Sequence, residues 1–396
     1  MNEITFIDLF SGIGGVRKGL DNCSRSLSFG EGSESKRDMF NGIRAENEHG
    51  PPRSFRCVWS NDFNKYANQV YTARFGEANH HPGDIRGIDA TEIPDHDLLC
   101  GGFPCQSFSV AGRRKGFEDT RGTLFFEICR IVEAKRPSLL LLENVKGLLN
   151  HDKGRTFTVI LQTLDELGYW VEWQVLNSKH FGVPQNRERV FIIGHLRGTG
   201  RREIFPIGEG DELSETGRGE GKTENQLATA ITQNLKRGVH SGGETLIKIG
   251  NVAESGHDSL WGRVYDPDGL ASNLNAEGGG VGAKTGLYVV PVLTPDRPEK
   301  RQHGRRFKED GEPSFTLTGQ DIHGVMIANR RIRRLTPCEC ERLQGFPDRF
   351  TETGLQDGKL VKVSDTQRYK MLGNAITVPV VTFLGERILD SLGKLF

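Results

Sequence analysis

Ile4-Thr5-Phe6-Ile7-Asp8-Leu9, running directly into Phe10-Ser11-Gly12-Ile13-Gly14-Gly15, is the stretch that decides the fold. The apolar run predicts a strand, the glycines a turn, and the residues from about Val16 a helix. Strand, glycine turn and helix open a doubly wound α/β domain, in which ligands sit at the carboxyl ends of the strands. Arg17 stands where the dinucleotide fingerprint G-x-G-x-x-G has its third glycine. That departure argues against a pyrophosphate, which needs close backbone approach, and leaves room for a nucleoside without phosphates.

Residues 21 to 55 are rich in serine, glycine and charge, and read as a partly disordered insertion in the first crossover. Arg56 to Ser60 predicts strand two, with Asn61-Asp62-Phe63 at its tip and a helix from Lys65 to Phe75. An acid at the end of strand two is placed to accept hydrogen bonds from ribose hydroxyls, and Phe63 beside it to stack on a purine. Asp62 would equally serve as an acid near a helix N-terminus. Asp97 to Cys100 predicts a buried strand that ends at Gly101-Gly102, and Pro104 fixes the backbone just ahead of the Cys105 thiol. A cysteine on a turn at a strand tip is a presentable nucleophile. The loop beyond it carries Arg113, Arg114, Lys115 and Arg121 among Gly112, Gly116 and Gly122, and suits closure over an anionic substrate.

Leu124 to Ala134 predicts a helix, and the leucines 139 to 142 a strand buried on both faces. That strand ends in Glu143-Asn144-Val145, which sets a carboxylate at the same sheet edge as Cys105. Phe157, Ile160, Leu161 and Leu164 form a helical stripe, and Trp170 to Leu176 and Val190 to Leu196 predict two more strands. Beyond about Arg197 glycine density rises and helical periodicity fades, so a smaller β-rich domain is expected. Arg331 to Phe350 reads as a helix begun by Thr336 as N-cap with Pro337 in its first turn. Gly373-Asn374-Ala375 is a turn into a last helix that ends near Leu392.

The chain has 396 residues, enough for two domains, and 26% charged residues that balance to a net charge of zero. Any nucleic-acid contact must therefore come from local basic patches, such as Arg330 to Arg334 and Arg297 to Lys308. The seven cysteines are scattered, without the Cys-x-x-Cys spacing of a zinc site, so no metal is expected and a reducing compartment is. No basic leader opens the chain and no apolar run approaches the roughly 18 residues of a membrane span, so an intracellular, cytoplasmic protein with no membrane partner is expected.

Taken together, Phe10-Ser-Gly-x-Gly-Gly, Pro104-Cys105-Gln106, Glu143-Asn144-Val145, Gln185-x-Arg187-x-Arg189, Arg334-Leu-Thr-Pro337, Leu343-Gln-Gly-Phe-Pro347 and Gly373-Asn374 resemble the DNA (cytosine-5)-methyltransferases of bacteria and their viruses. The motifs fall in family order, across most of the chain outside 21–55 and 197–328. The resemblance implies a Rossmann-like S-adenosylmethionine-dependent domain (residues 1–196, completed by 365–396) and a target-recognition domain and hinge over 197–350. It implies Cys105 as the nucleophile at C6 of cytosine and Glu143 as the group that holds or protonates N3. Arg187 and Arg189 would bind the O2 edge of the base or orient Glu143. S-adenosylmethionine would give its methyl group and leave as S-adenosylhomocysteine. Phe10, Ser11, Gly12, Ile13, Gly14, Asn374 and Ala375 would surround its methionine portion, and Asp62 its ribose. Phe63 and Ile85 would sandwich the adenine, Asp84 would bond its amino group, and Pro104 and Leu124 would line the pocket. The partner implied is double-stranded DNA, approached by a monomer. A cognate restriction endonuclease would act on the same site without direct contact.

The target base must leave the duplex, and the loop from Ser107 to Gly122 would close over it, with Gln106, Ser109, Arg113, Arg114 and Lys115 against DNA. In the variable region, Leu227 to Thr232, Leu270 to Asn275 and Pro313 to Thr318 recur at a spacing of 43 residues, each followed by a polar stretch and an apolar strand. Such a period predicts stacked strand–loop–strand units. Gln233, Asn234, Lys236 and Arg237 in the first loop and Gln320 in the third would read base edges. A tRNA cytosine-5 methyltransferase of the same fold is the alternative, disfavoured by the long variable region. The missing third glycine and the Cys105/Glu143 pair argue against a nucleotide-dependent oxidoreductase.

Overall fold

The computed structural model describes residues 3–28, 54–103, 124–199, 204–205, 207, 248–251, 263–265, 290–295, 305–308, 312–327 and 331–393. Strands β1 (Glu3–Leu9), β2 (Ser54–Asp62), β3 (His80–Pro82), β4 (Leu98–Gly102) and β5 (Leu139–Val145) run parallel. With β6 (Tyr169–Asn177) and β7 (Glu188–Leu196) they form one seven-stranded sheet of order β3-β2-β1-β4-β5-β7-β6, in which β7 opposes both neighbours. The chain leaves β1 toward β2 on one side, while β4 lies on the other. A crevice therefore opens at the carboxyl ends of β1 and β4.

Helices cover both faces. On one, α1 (Gly15–Ser28) and the C-terminal helix pack over Phe6, Leu98, Leu139 and Leu141. On the other, α3 (Leu124–Lys135) and α4 (Arg155–Glu166) pack over Ile7, Leu9, Leu140 and Leu142. The leucine run of β5 thus alternates between two cores, each side chain contributing roughly 1.5–3 kcal/mol on burial. Between them in sequence, α2 (Lys65–Phe75) starts where the Asn64 side chain accepts the N–H groups of Tyr66 and Ala67, and stops at Gly76. These bounds agree with the sequence reading.

A third apolar cluster joins segments far apart in the chain: Ile13, Ala67 and Val70 meet Leu317, Val325, Leu343, Leu372 and Ala375. Its helices are α5 (Pro337–Leu343), α6 (Asp365–Asn374) and α7 (Val378–Gly393). The run Asp365–Leu392 has the length and apolarity of a membrane span, contrary to the expectation that no stretch would. Its most apolar window is 67% buried, the mark of a core helix. Gly19 of α1 explains how close α7 lies: a Cβ there would stand 2.5 Å from Val381 Cβ.

Several expectations need correction. The first crossover helix does not stop before residue 21 but continues to Ser28; residues 29–53 lie outside the described set. Arg331 to Phe350 is not one helix. Arg331–Arg334 is strand β12, paired with β11 (His323–Ile327), and only Pro337–Leu343 is helical. Pro337 disfavours helical backbone at Thr336, which adopts ψ 157 and caps the helix through a reciprocal bond pair with Glu339. Gly345, at φ 78, ends it.

Among the described residues, the strands that follow the three copies of the repeat are not paired alike. The strand after the first copy, β8 (Lys248–Asn251), pairs with β9 (Arg263–Tyr265) in a separate sheet. The other two, β10 (Val290–Leu293) and β11, are antiparallel neighbours. Residues 227–232 and 270–275 lie outside the described set. The third copy is an extended segment laid along residues 184–187: Ser314 N–H donates to Pro184 O at 2.9 Å and Asn186 N–H to Ser314 O at 3.0 Å. A hairpin absent from the sequence reading, β13 (Thr353–Gln356) with β14 (Lys359–Lys362), braces α2 through a bond from Gln69 to Gln356.

Candidate active site

The turn after β1 is held in left-handed backbone, with Phe10 at φ 56, Gly12 at φ 54 and Gly14 at φ 83. Glycine is required at 14 for a second reason: a Cβ there would lie 2.3 Å from the Phe75 ring. Asp62, at the tip of β2, fixes this turn. Its Oδ2 accepts the Gly12 N–H at 2.8 Å and its Oδ1 the Asn64 N–H at 2.7 Å. Burial raises its pKa, and the main-chain N–H groups of Asn64 and Gly12 oppose that rise.

Beside it Phe63 is 73% exposed, a ring face left open at the mouth of the crevice. Asp84 caps the short turn Ile85–Gly87 and pairs with Arg86 on both oxygens at 3.0 Å, which lowers its carboxyl to about 2. The Ile85 side chain is buried in the α3 face core, and half-buried Leu124 packs on the same cluster. Ile13 points away from the crevice into the third cluster, so only its main chain faces the turn. Asn374 is exposed at the end of α6 and Ala375 buried behind it.

These residues fit a nucleoside bearing an amino-acid tail. The open Phe63 face suits a base, the Asp84 carboxylate an exocyclic amine, and the glycine turn a group needing close backbone approach. Ser11 Oγ is buried without a hydrogen-bond partner, a polar atom the turn itself does not satisfy.

Two strands from β1, β5 carries Glu143 two residues before its end. Arg189 on β7 sits in register with Val145, two residues along, so the two side chains share a face. Arg189 Nε lies 3.0 Å from Glu143 Oε1. Burial raises the Glu143 carboxyl, and Arg189 first, then Arg187, work against it. Gly102, opposite Glu143, makes room: a Cβ there would be 3.3 Å from Glu143 Oε2 and 3.1 Å from Ile376 Cδ1. Asn144 Nδ2 donates to Phe103 O at 2.8 Å and so anchors the backbone two residues before Cys105. Nothing in the sequence reading assigned Gly102 or Asn144 a role, although Asn144 lies inside a quoted motif.

Arg187 is placed differently from its neighbour. It is 2% exposed, and its guanidinium donates to main-chain carbonyls: Leu317 at 2.7 Å, Ala375 at 2.9 Å and Gly373 at 3.2 Å. Burial, then the like charge of Arg189, lowers its pKa to about 9. Its bonds therefore join backbone segments, whereas Arg189 meets Glu143. Gln320 is exposed on the turn after Thr318, and that turn abuts Gly373. Pro104, Cys105, Gln106, Ser109, Arg113, Arg114, Lys115, Gln233, Asn234, Lys236 and Arg237 lie outside the described residues.

The sheet order, with its reversed seventh strand and glycine turn, is that of the S-adenosylmethionine-dependent methyltransferases. Over residues 4–390 the chain matches the model of the C-5 cytosine-specific DNA methylases. It is 34% identical to the type II methyltransferase M.HpaII of Haemophilus parainfluenzae, across 100% of this chain and 91% of that one. It is 32% identical to M.HhaI of Haemophilus parahaemolyticus (99% and 96%), and 34% to the orphan methyltransferase M.SPRI of Bacillus phage SPR (85% and 92%). Among solved structures, S. pombe Dnmt2 aligns with a TM-score of 0.54 at 18% identity, over 99% of both chains. A putative DNA modification methyltransferase from an E. coli prophage aligns at 0.55 and 18%, over 98% and 99%. The chain belongs to the C-5 cytosine-specific DNA methylase family.

Proposed function

We propose that the protein methylates C5 of a cytosine flipped from a specific sequence of duplex DNA, with Cys105 as covalent nucleophile. The observation that carries this reading is the Glu143–Arg189 pair beside the anchored Phe103 carbonyl, at the sheet edge where the chain runs into Pro104-Cys105.

C5 of cytosine is a weak nucleophile. The Cys105 thiolate forms a bond to C6, and the ring electrons so displaced make C5 nucleophilic. Negative charge develops toward N3 and O2 as the bond forms. Glu143, whose carboxyl burial holds above its ordinary range, donates a hydrogen bond or proton to N3, and Arg189 keeps it in place. S-adenosylmethionine, when bound, supplies the sulfonium methyl group that C5 takes up. A solvent base then takes the C5 proton, the electron pair so returned expels Cys105 as thiolate, and N3 gives its proton back to Glu143. Phe10 to Gly14, Asp62, Phe63, Asp84 and Asn374-Ala375 would hold that methyl donor, with Ile85, Pro104 and Leu124 as pocket walls. The basic loop from Ser107 would close over the flipped base, and the variable region would choose the site. The enzyme would act on DNA as a monomer, its site shared with a cognate endonuclease.

Bisulfite sequencing of DNA from cells expressing the protein should reveal one methylated cytosine context. Cys105→Ser should abolish it while cofactor and duplex binding persist. With S-adenosylmethionine present, duplex with 5-fluorocytosine at that site should trap a covalent adduct, because fluorine replaces the C5 proton and cannot leave as a cation. Substantial turnover by Cys105→Ser would sink the mechanism, and methylation of tRNA in place of duplex DNA would replace the substrate.

A further inference from the structure

The Arg187 guanidinium holds two segments that separate functions would use. Leu317 lies in the segment at the end of the variable region, and Gly373 and Ala375 flank the turn proposed to meet the methyl donor. Its neighbours reinforce the junction. Gln185, fully buried, accepts the Leu317 N–H at 2.9 Å and donates to Leu343 O at 2.8 Å. Gln344 donates to Leu372 O at 2.7 Å, and Thr316 Oγ1 to Asn186 O at 2.6 Å.

Contact between the two segments is also direct. A Cβ at Gly373 would lie 2.1 Å from the carbonyl carbon of Thr318 and 2.3 Å from Gly319 N, so the two backbones touch with no side chain between them. Leu317 and Ala375 belong to one apolar cluster with Ile13 of the glycine turn. The end of the variable region cannot shift without disturbing the 373–375 turn. Arg187 alone bonds both segments directly, to Leu317 O on one side and to Gly373 O and Ala375 O on the other, through a planar, multidonor group that an ammonium cannot reproduce, while Gln185 and Gln344 join them in series.

We propose that Arg187 is a positioning residue that couples duplex engagement by the variable region to the 373–375 turn, so that DNA and methyl donor each raise the other's affinity. The inference rests on the function proposed above. Reciprocity is required: the factor by which duplex tightens the cofactor must equal the factor by which cofactor tightens the duplex.

The test is a binding cycle by calorimetry, with S-adenosylhomocysteine and a duplex carrying the site mapped by bisulfite sequencing. In the wild type, each ligand should lower the Kd of the other by the same factor, within the roughly 5–150-fold range of ordinary couplings. In Arg187→Lys that factor should fall close to one while each ligand still binds alone. Hydrogen exchange gives a second readout, since duplex alone should protect the amides of residues 372–377 in the wild type and not in the variant. Should Arg187→Lys fail to fold, Thr316→Val decides; it removes only the bond to Asn186 and should reduce the factor by at least about twofold. A wild type that binds both ligands with a factor of one overturns the coupling alone, as does an unchanged factor in a folded variant. A wild type that binds neither ligand overturns the proposed function and the coupling with it.

Discussion

Glu143 and Arg189 face each other diagonally across the antiparallel pair β5 and β7, with Arg189 Nε 3.0 Å from Glu143 Oε1. The acid and its partner are carried by adjacent strands of the central sheet, so their spacing is set by sheet register and not by a loop. Such rigid support is what the proton-handling role proposed for Glu143 would require, since misplacement by an ångström can cost about 10²-fold in rate.

Replacing Glu143 by Gln keeps shape and a donor but removes ionisation. The chemical step should slow by about 10²-fold or more in single turnover, with the Kd for S-adenosylhomocysteine changed less than about threefold. Loss of the folded state would instead mark Glu143 as structural.

Arg189 is the largest influence holding the Glu143 carboxyl down against burial. With Arg189→Met, that carboxyl should rise further. The limb of the pH–rate profile that reports Glu143 should move to higher pH by about one unit or more. An unmoved limb would show that the pair does not govern this ionisation.

Asp62 and Phe63 are adjacent, yet only one of them should couple cofactor affinity to stability. Asp62→Ala frees the N–H groups of Gly12 and Asn64, so both melting temperature and cofactor affinity should fall, by about 1–3 kcal/mol in stability. Phe63→Ala removes a 73% exposed ring, so cofactor affinity should drop by roughly tenfold with the melting temperature almost unchanged. A Phe63 variant that binds cofactor normally would exclude stacking.

Asp8 lies on β1 under α1, and neither carboxylate oxygen has a hydrogen-bond partner. Burial raises its pKa to about 8, with Arg17 opposing. The unfolded value is about 3.9, so the folded state binds the proton more tightly. The Asp8 contribution to stability is therefore fully present below about pH 4, is lost as pH rises from about 4 to about 8, and is flat above. For Asp8→Asn the melting temperature, variant minus wild type, should grow more positive through that window. A difference that declines with pH would show that the ionised form is the stabilised one.

Much of this was readable from residue pattern because local signals and tertiary fate agreed. The glycine turn, the four leucines of β5 and the Asn64 cap of α2 each carry their own instruction. The Arg331 segment misled because its charged residues suit a helix or an edge strand equally, and pairing with β11 decided between them. Arg187 and Arg189 have the same chemistry two residues apart. Only the fold separates the one that meets Glu143 from the one that holds backbone carbonyls. The bonds that Ile204, Phe205 and Ile207 make to the sheet left no sequence signal at all. The N–H groups of these residues bond to Glu172 and Gln174 on the edge strand β6, and burial of the Glu172 carboxyl is outweighed by bonds from His195, Ile204 and Phe205 that carry its pKa down.

The close seat of α7 against α1 has a consequence for how the molecule comes into being. Gly19 and Val381 touch across more than nine-tenths of the chain, so the part of α1 around Gly19 has no cover until residues 378–393 exist, although Val16 and Leu20 already meet Phe6 and Phe55 of the sheet. On the ribosome, synthesis proceeds at about 5–20 residues per second, so that part waits for tens of seconds, a period in which holding chaperones would be needed. The 373–375 turn is made only just before it. A partly made chain therefore lacks one wall of the crevice, and no fragment ending before α7 should modify DNA.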